Sequence, residues 1–271
     1  MRLTRVCVGV LVCLTAGGGA MAEGRMVGVS WLGGLYEIDL ATGGTTSLGS
    51  LGVSRLNSLA MRSDGTLWTA RAGDVDTGEP SRLYTIDPVS VTATLVTEMD
   101  PSVDVRGLSW TNDGDLVAML EIPGTTAQYA RIDPVTGAIT NLAGFAGHNR
   151  SQSLETTPDG DMVVWDIDSG IYRFADDGSN FTQLSPVFQG SESIQSLSFA
   201  ADGNLYGSST EPIAPQASRG VLFLIDQETW LPIRVGQHDT PFDMRGMAYI
   251  PAPGAGVWLI GAGMIAARRR R

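Results

Sequence analysis

Two histidines are the only imidazoles in the 271-residue chain, His148 in AGHNR and His238 in GQHDT. Imidazole is the side chain best suited to proton transfer near neutral pH and to holding a transition metal. Neither histidine has a second one at ligand spacing, so a zinc centre lacks ligands. Two further groups carry chemistry-bearing carboxylates: GDVDTGE places Asp74, Asp76 and Glu79 in one stretch, and WDIDSG places Asp166 beside Asp168. Hard oxygen donors suit calcium, but neither stretch has the Asp-x-Asp-x-Asp-Gly spacing with a distal glutamate of an EF-hand loop. Solvated turn acids are the competing reading, and no cofactor is expected otherwise. A third pattern is polar and periodic: Asn57, Arg106, Gln152, Gln195 and Arg245 each stand two residues before an apolar residue in five related segments.

Several chemistries are excluded outright. There is no lysine, since all 18 basic residues are arginines, which removes Schiff-base chemistry and the phosphate-loop lysine. No Gly-x-Ser-x-Gly elbow, phosphate loop or paired-carboxylate motif occurs. RSDGTLW at 62–68 has Ser63, Asp64 and Gly65 adjacent, whereas a sialidase Asp-box separates them by single residues. All 29 acids lie between Glu23 and Asp243, together with twelve of the arginines, a net charge of −17. Such a field repels nucleic acid and anionic lipid headgroups, so nucleic acid is not an expected partner.

The elements that position these residues are legible from a repeat. LYEID (35–39), LYTID (83–87), YARID (129–133), IYRFA (171–175) and LFLID (222–226) alternate as strands do. Each is followed by a turn and a further strand, then by LNSLAM, VRGLSW, SQSLET, IQSLSF or MRGMAY. The central residues of this last set, Leu59, Leu108, Leu154, Leu197 and Met247, are spaced 49, 46, 43 and 50 residues apart. Four of the five run into an Asp-Gly pair, at 64–65, 113–114, 159–160 and 202–203, and then another strand. Asp-Gly between alternating runs signals a hairpin, because glycine accepts the positive φ required there.

Four strands in about 47 residues is the size of one β-propeller blade. The fifth repeat lacks its Asp-Gly hairpin, and GRMVGV at 24–29 matches the missing strand. The expectation is an all-β, five-bladed propeller over residues 23–250, in which the amino-terminal strand becomes the outer strand of the last blade. Completing one blade from both chain ends removes exposed strand edges. In this frame both histidines fall in equivalent connections on one face. The five polar residues form a ring near one end of the channel, with Asp104 and Asp243 beside the arginines. That ring reads either as a small-ligand site at the mouth or as a set of contacts in which arginines pair with acids and amides bridge blades.

The termini read as addresses. Residues 1–22 carry Arg2 and Arg5, an apolar run and Ala20-Met21-Ala22, the layout of a helical secretory signal cleaved by signal peptidase. Both cysteines, Cys7 and Cys13, lie within it, so the mature chain would have no thiol chemistry. Bulky Val12 before Cys13 disfavours lipidation there. At the other end, residues 254–267 are apolar and uncharged, about 21 Å if helical at ~1.5 Å per residue, short of a ~30 Å hydrocarbon core. Arg268, Arg269, Arg270 and Arg271 follow, and would stay on the cytoplasmic side of a membrane.

The order of Pro251-Ala252-Pro253, a short apolar helix and a terminal arginine cluster resembles the PEP-CTERM sorting signal of exported bacterial proteins. The resemblance covers residues 250–271, and Ala252 replaces the motif's glutamate. It implies handling by a membrane-embedded exosortase, with the prolines marking the processing point. It also implies an extracellular or envelope location, anchored transiently or permanently. The LYxIDPxTG repeats look like those of bacterial surface propellers, which implies fold and not activity. The sequence therefore favours a non-enzymatic surface or matrix protein with a polysaccharide or an envelope protein as partner. The alternatives are a propeller hydrolase or lyase using His148 and His238 on a carbohydrate or lactone, and a calcium-stabilised adhesive module.

Overall fold

The apolar runs become strands that are buried on both faces in the middle of each sheet and exposed at its outer edge. The computed structural model describes residues 24–252 apart from 75, 123, 146, 149, 186–193, 215–216 and 239–243. Within it twenty strands form five antiparallel four-stranded sheets. Blade 1 joins β1 (Arg25–Ser30), β2 (Gly34–Ile38) and β3 (Thr45–Ser50) to the last strand, β20 (Met244–Ile250). Blade 2 contains β4 (Ala60–Met61), β5 (Leu67–Arg71), β6 (Ser81–Asp87) and β7 (Thr92–Met99). Blade 3 contains β8 (Asp104–Trp110), β9 (Leu116–Glu121), β10 (Gln128–Ile132) and β11 (Ile139–Gly144). Blade 4 is β12 (Glu155–Thr156), β13 (Met162–Asp166), β14 (Gly170–Phe174) and β15 (Thr182–Ser185). Blade 5 is β16 (Ile194–Phe199), β17 (Leu205–Ala214), β18 (Ala217–Ile225) and β19 (Pro232–Gln237).

The five sheets close into a ring, because β4, β8, β12, β16 and β20 each contact the next in turn and β20 contacts β4. These are the innermost strands. The outermost, β3, β7, β11, β15 and β19, are the solvent-facing edges. One hydrophobic cluster fills each of the five seams between blades, for example Val27, Val29 and Leu35 of blade 1 against Leu56, Leu59 and Leu67. Full burial of each such side chain contributes roughly 1.5–3 kcal/mol. Because both faces of every sheet meet a neighbour, a strand such as β9, LVAMLE, is buried along nearly its whole length instead of alternating.

The sequence-based blade differs from the folded one in phase. GRMVGV was expected as an outer strand, yet β1 lies inside its sheet, paired to β20 from Arg25↔Ile250 to Ser30↔Met244 and to β2 on its other side. The segments LNSLAM to MRGMAY begin the sheets at the centre of the ring. A cyclic repeat has no intrinsic starting strand, so pattern alone does not say which one is innermost. The Asp-Gly turns also differ in type. At 62–66 Gly65 N donates to Arg62 O at 2.9 Å, only the glycine takes positive φ (89°), and Arg62 N donates to Thr66 O. That is a type I turn followed by a glycine bulge, not a two-residue hairpin loop.

The innermost strands approach closely at two seams. A Cβ on Gly246 would lie 2.4 Å from the backbone N of Leu59, and one on Gly107 would lie 2.5 Å from that of Leu154. Glycine there lets two backbones touch across the seam.

Candidate functional site at the channel mouth

The strand ends on the side where β4, β8, β12, β16 and β20 begin gather the polar ring. Among the described residues two groups of contacts are seen, on opposite sides of the ring. Asn57 Nδ2 donates to Asp104 Oδ1 at 3.0 Å across the seam between blades 2 and 3. Arg106 Nη2 lies 2.9 Å from Asp104 Oδ2, and its Nε lies 2.8 Å from Glu121 Oε2 as an ion pair without hydrogen-bond alignment. On the opposite side of the ring Arg245 Nη1 donates to Gln195 Oε1 at 3.0 Å, joining blades 1 and 5, and the guanidinium stacks over Trp31 at 5.3 Å. Gln152 is buried on blade 4, and its backbone N donates to Trp165 O. Arginine–acid pairing and an amide bridging blades are both present. Asp243 lies outside the described residues, as do Ala20, Ala22, Pro253, residues 254–267 and Arg268 to Arg271; Pro251 follows β20 directly.

The two histidines occupy the expected connections, after β11 and after β19, but each is bonded within its own seam. His238 is 2% exposed; one ring nitrogen meets Ser208 Oγ at 2.9 Å and the other meets Gly43 O at 2.8 Å. A carbonyl only accepts, so Nδ1 carries the proton and Nε2 accepts from the serine. His148 Nδ1 lies 2.8 Å from Ser169 Oγ, while its ring packs edge-on to Tyr172 at 4.5 Å and against Phe181. Ser169 Oγ lies 2.6 Å from Oδ1 of Asp166, a carboxylate only 1% exposed. The serine hydroxyl donates to Asp166, so the serine oxygen accepts from His148. This chain places serine in the middle, the reverse of a relay in which histidine activates serine.

The acidic stretch at 74–79 folds into a small hairpin in which Asp74 and Glu79 face arginines and Asp76 is exposed. Asp74 Oδ2 lies 3.3 Å from Arg55 Nη1, and Glu79 lies within 2.7 Å of Arg71, 3.4 Å of Arg82 and 3.5 Å of Arg55. The bond from Arg71 leads the causes that hold Glu79 below its usual range, and the backbone N of Thr77 does the same for Asp74. Among the described residues no three or more His, Asp or Glu side chains converge on a metal position. A calcium ion in this loop would have to displace guanidinium groups.

Sequence reasoning missed Glu121, Trp31, Ser169 and Gly43, the partners that decide what the ring and the histidines do. One signal was available. A polar residue closes the second strand of four blades, namely Ser30, Arg71, Glu121 and Asp166, and Ser209 stands at the matching position of the longer β17. Read beside the ring it marks a second polar layer at the mouth.

Fold and mouth together define a five-bladed β-propeller in which some polar groups of the mouth join neighbouring blades. No protein-family model matches the sequence, and no curated protein matches it. Solved structures do resemble it. TolB from Acinetobacter baumannii superposes with a TM-score of 0.50 at 15% identity, covering 84% of this chain and 67% of that one. A TolB candidate from Agrobacterium tumefaciens gives 0.51 at 14% identity, over 85% and 99% of the two chains. The periplasmic gluconolactonase of Pseudomonas aeruginosa gives 0.44 at 16%, over 80% and 83%. At such identities the likeness is one of fold, and the third superposition supports nothing further.

Proposed function

We propose that this chain is an exported bacterial β-propeller that serves as a non-enzymatic binding or structural module of the cell envelope or extracellular matrix. Residues 1–22 direct export, and the tail from Pro251 to Arg271 sorts or anchors the protein through an exosortase-type pathway. The observation that carries the non-enzymatic part is His238, whose two nitrogens are both engaged inside the wall, with no lone pair or proton left for a substrate. The inverted order Asp166–Ser169–His148 supports it, since Ser169 spends its proton on the carboxylate.

The test is a turnover screen of the full chain against lactones, oligosaccharides and polysaccharides, run beside His148→Ala and His238→Ala. The expected result is no turnover by the parent protein. His238→Ala should instead lose about 2–4 kcal/mol of stability in denaturant unfolding, from the vacated volume and two unpaired buried acceptor and donor groups. Turnover that either substitution abolishes without unfolding the ring would overturn the reading.

A further inference from the structure

Between blades 2 and 3 the mouth opens into a cleft of about 230 Å³. That is below the ~300–1,000 Å³ of sites for drug-sized ligands and leaves room for a single six-membered ring. The geometry points to a binding subsite for a neutral polyol, one sugar unit presenting a vicinal diol, and this rests on the reading of the protein as a binding module.

The polar wall is Arg106 with its two carboxylates. Asp104 has both oxygens engaged, Oδ1 by Asn57 and Oδ2 by Arg106. Glu121 uses Oε2 on Arg106 Nε. Among the described residues Nη1 of Arg106 and Oε1 of Glu121 have no partner, and both side chains reach solvent, at 21% and 40% exposure. One donor and one acceptor thus stand on neighbouring groups. A vicinal diol complements them: one hydroxyl donates to Glu121 while the adjacent oxygen accepts from Arg106. Pro101 and Val103 line the same cleft and offer an apolar surface to the C–H face of a sugar ring.

The charge balance selects a neutral ligand. Two carboxylates and one guanidinium leave a net −1, which disfavours anions, and Arg106 already occupies the position a cation would take. The cleft is also braced. The backbone N of Gly73 donates to Ser81 Oγ at 2.8 Å, and that hydroxyl, fully buried, donates to Val103 O. Ser81 therefore ties one wall to the other, and little ordering remains to be done on binding.

The test is saturation-transfer NMR on the full chain in detergent micelles, titrated with methyl α-glucoside and, separately, glucuronate. The glucoside should saturate with a Kd on the order of 1 mM. Glu121→Gln, which keeps the shape and loses the charged acceptor, should weaken it at least about tenfold, a loss worth about 1.4 kcal/mol. Glu228→Gln, in the exposed outer turn of blade 5, should leave it unchanged, and glucuronate should bind more weakly than the glucoside. Absence of glucoside binding up to about 50 mM, or equal binding by the folded Glu121→Gln variant, overturns the subsite and leaves the non-enzymatic reading intact. Binding lost in Glu121→Gln, together with consumption of the glucoside by the parent, upholds the subsite and overturns the non-enzymatic reading instead.

Discussion

A carboxyl group on an innermost strand has few ways to stay charged. Glu155, on β12, is half-buried and accepts one hydrogen bond, from the backbone N of Phe199 in blade 5 at 3.2 Å, and no cation offsets its desolvation. Desolvation pushes its pKa up to about 8, against the smaller opposing effect of that bond. In the unfolded chain the group titrates near 4.5. The folded state therefore holds a proton that the unfolded state releases, and the stability tied to it is fully present below about 4.5. It is lost as pH rises toward 8. Melting of the parent protein should fall across that window, while Glu155→Gln, whose amide oxygen still accepts from Phe199, should melt on the order of 5 °C higher at pH 8 and equal the parent at pH 5. A Glu155→Gln curve parallel to the parent over pH 5–8 would show that the carboxyl is charged in the ring. Nothing in SQSLET announces this, because the corresponding residues of the other blades are Ala60, Ser109, Ser198 and Ala248, and burial comes from the neighbouring blade.

Among the elements, the outer hairpins repeat most faithfully. In four of them an aspartate closes the strand and folds back on its own turn: Asp39, Asp87, Asp133 and Asp226 each accept from the backbone N two residues on, at 2.8 Å, and three on, at 3.2–3.3 Å. This is why the repeat reads LYxID: the aspartate is the turn's own acceptor. Backbone donors are among the causes that hold all four below the usual carboxylate range, the leading cause for Asp39, Asp133 and Asp226, while a hydroxyl bond from Ser90 leads for Asp87. A depressed folded pKa contributes stability above the unfolded value, about 3.8, that is lost as pH falls through the folded one. Replacing all four by asparagine keeps an acceptor oxygen without the charge. The acid limb of Tm against pH below about 4 should then flatten, whereas Asp133→Ala alone should lower Tm by about 2–4 °C near neutrality. An unchanged acid limb in the fourfold variant would assign acid sensitivity to other carboxylates.

The same hairpins mark what the sequence could and could not disclose. Strand number, blade count and turn positions followed from local pattern, because alternation, Asp-Gly and the closing aspartate act within a few residues of themselves. Two turns break the pattern in sequence and not in shape: Val91 (φ 53°) and Trp230 (φ 57°) take the left-handed conformation that Gly43 and Gly137 take at the equivalent place. Sequence-level turn chemistry would not put a β-branched or bulky residue there. The mouth was legible only as a row of polar residues. Its partners, Glu121, Trp31 and Gly43, come from other strands or blades, and no local spacing encodes a contact made across a seam.

At the scale of the whole molecule the decisive contact joins the two ends of the ring. β1 is sandwiched between β20 and β2, so it bonds on both edges and buries Met26, Val27 and Val29 to 1% exposure or less. At roughly 1.5–3 kcal/mol for each side chain, these three alone are comparable to the ~5–15 kcal/mol net stability of a typical folded domain. Without β1 the strand β20 would lose its sheet, the seams on either side of blade 1 would lose a wall, and the innermost contact of Gly246 with Leu59 would lose its support. A chain beginning at Leu32 should therefore fail to give a cooperative melt, whereas one beginning at Glu23 should melt like the full-length protein. Val27→Asp tests the seam without altering the backbone ladder and should cost on the order of 4 kcal/mol or more, since an unpaired charge would enter a dry interface. If the chain starting at Leu32 melted cooperatively at the parent temperature, ring closure through β1 would not be what holds the blades together. The stability would then lie in the three seams that β1 does not line, each sufficient for its own pair of blades.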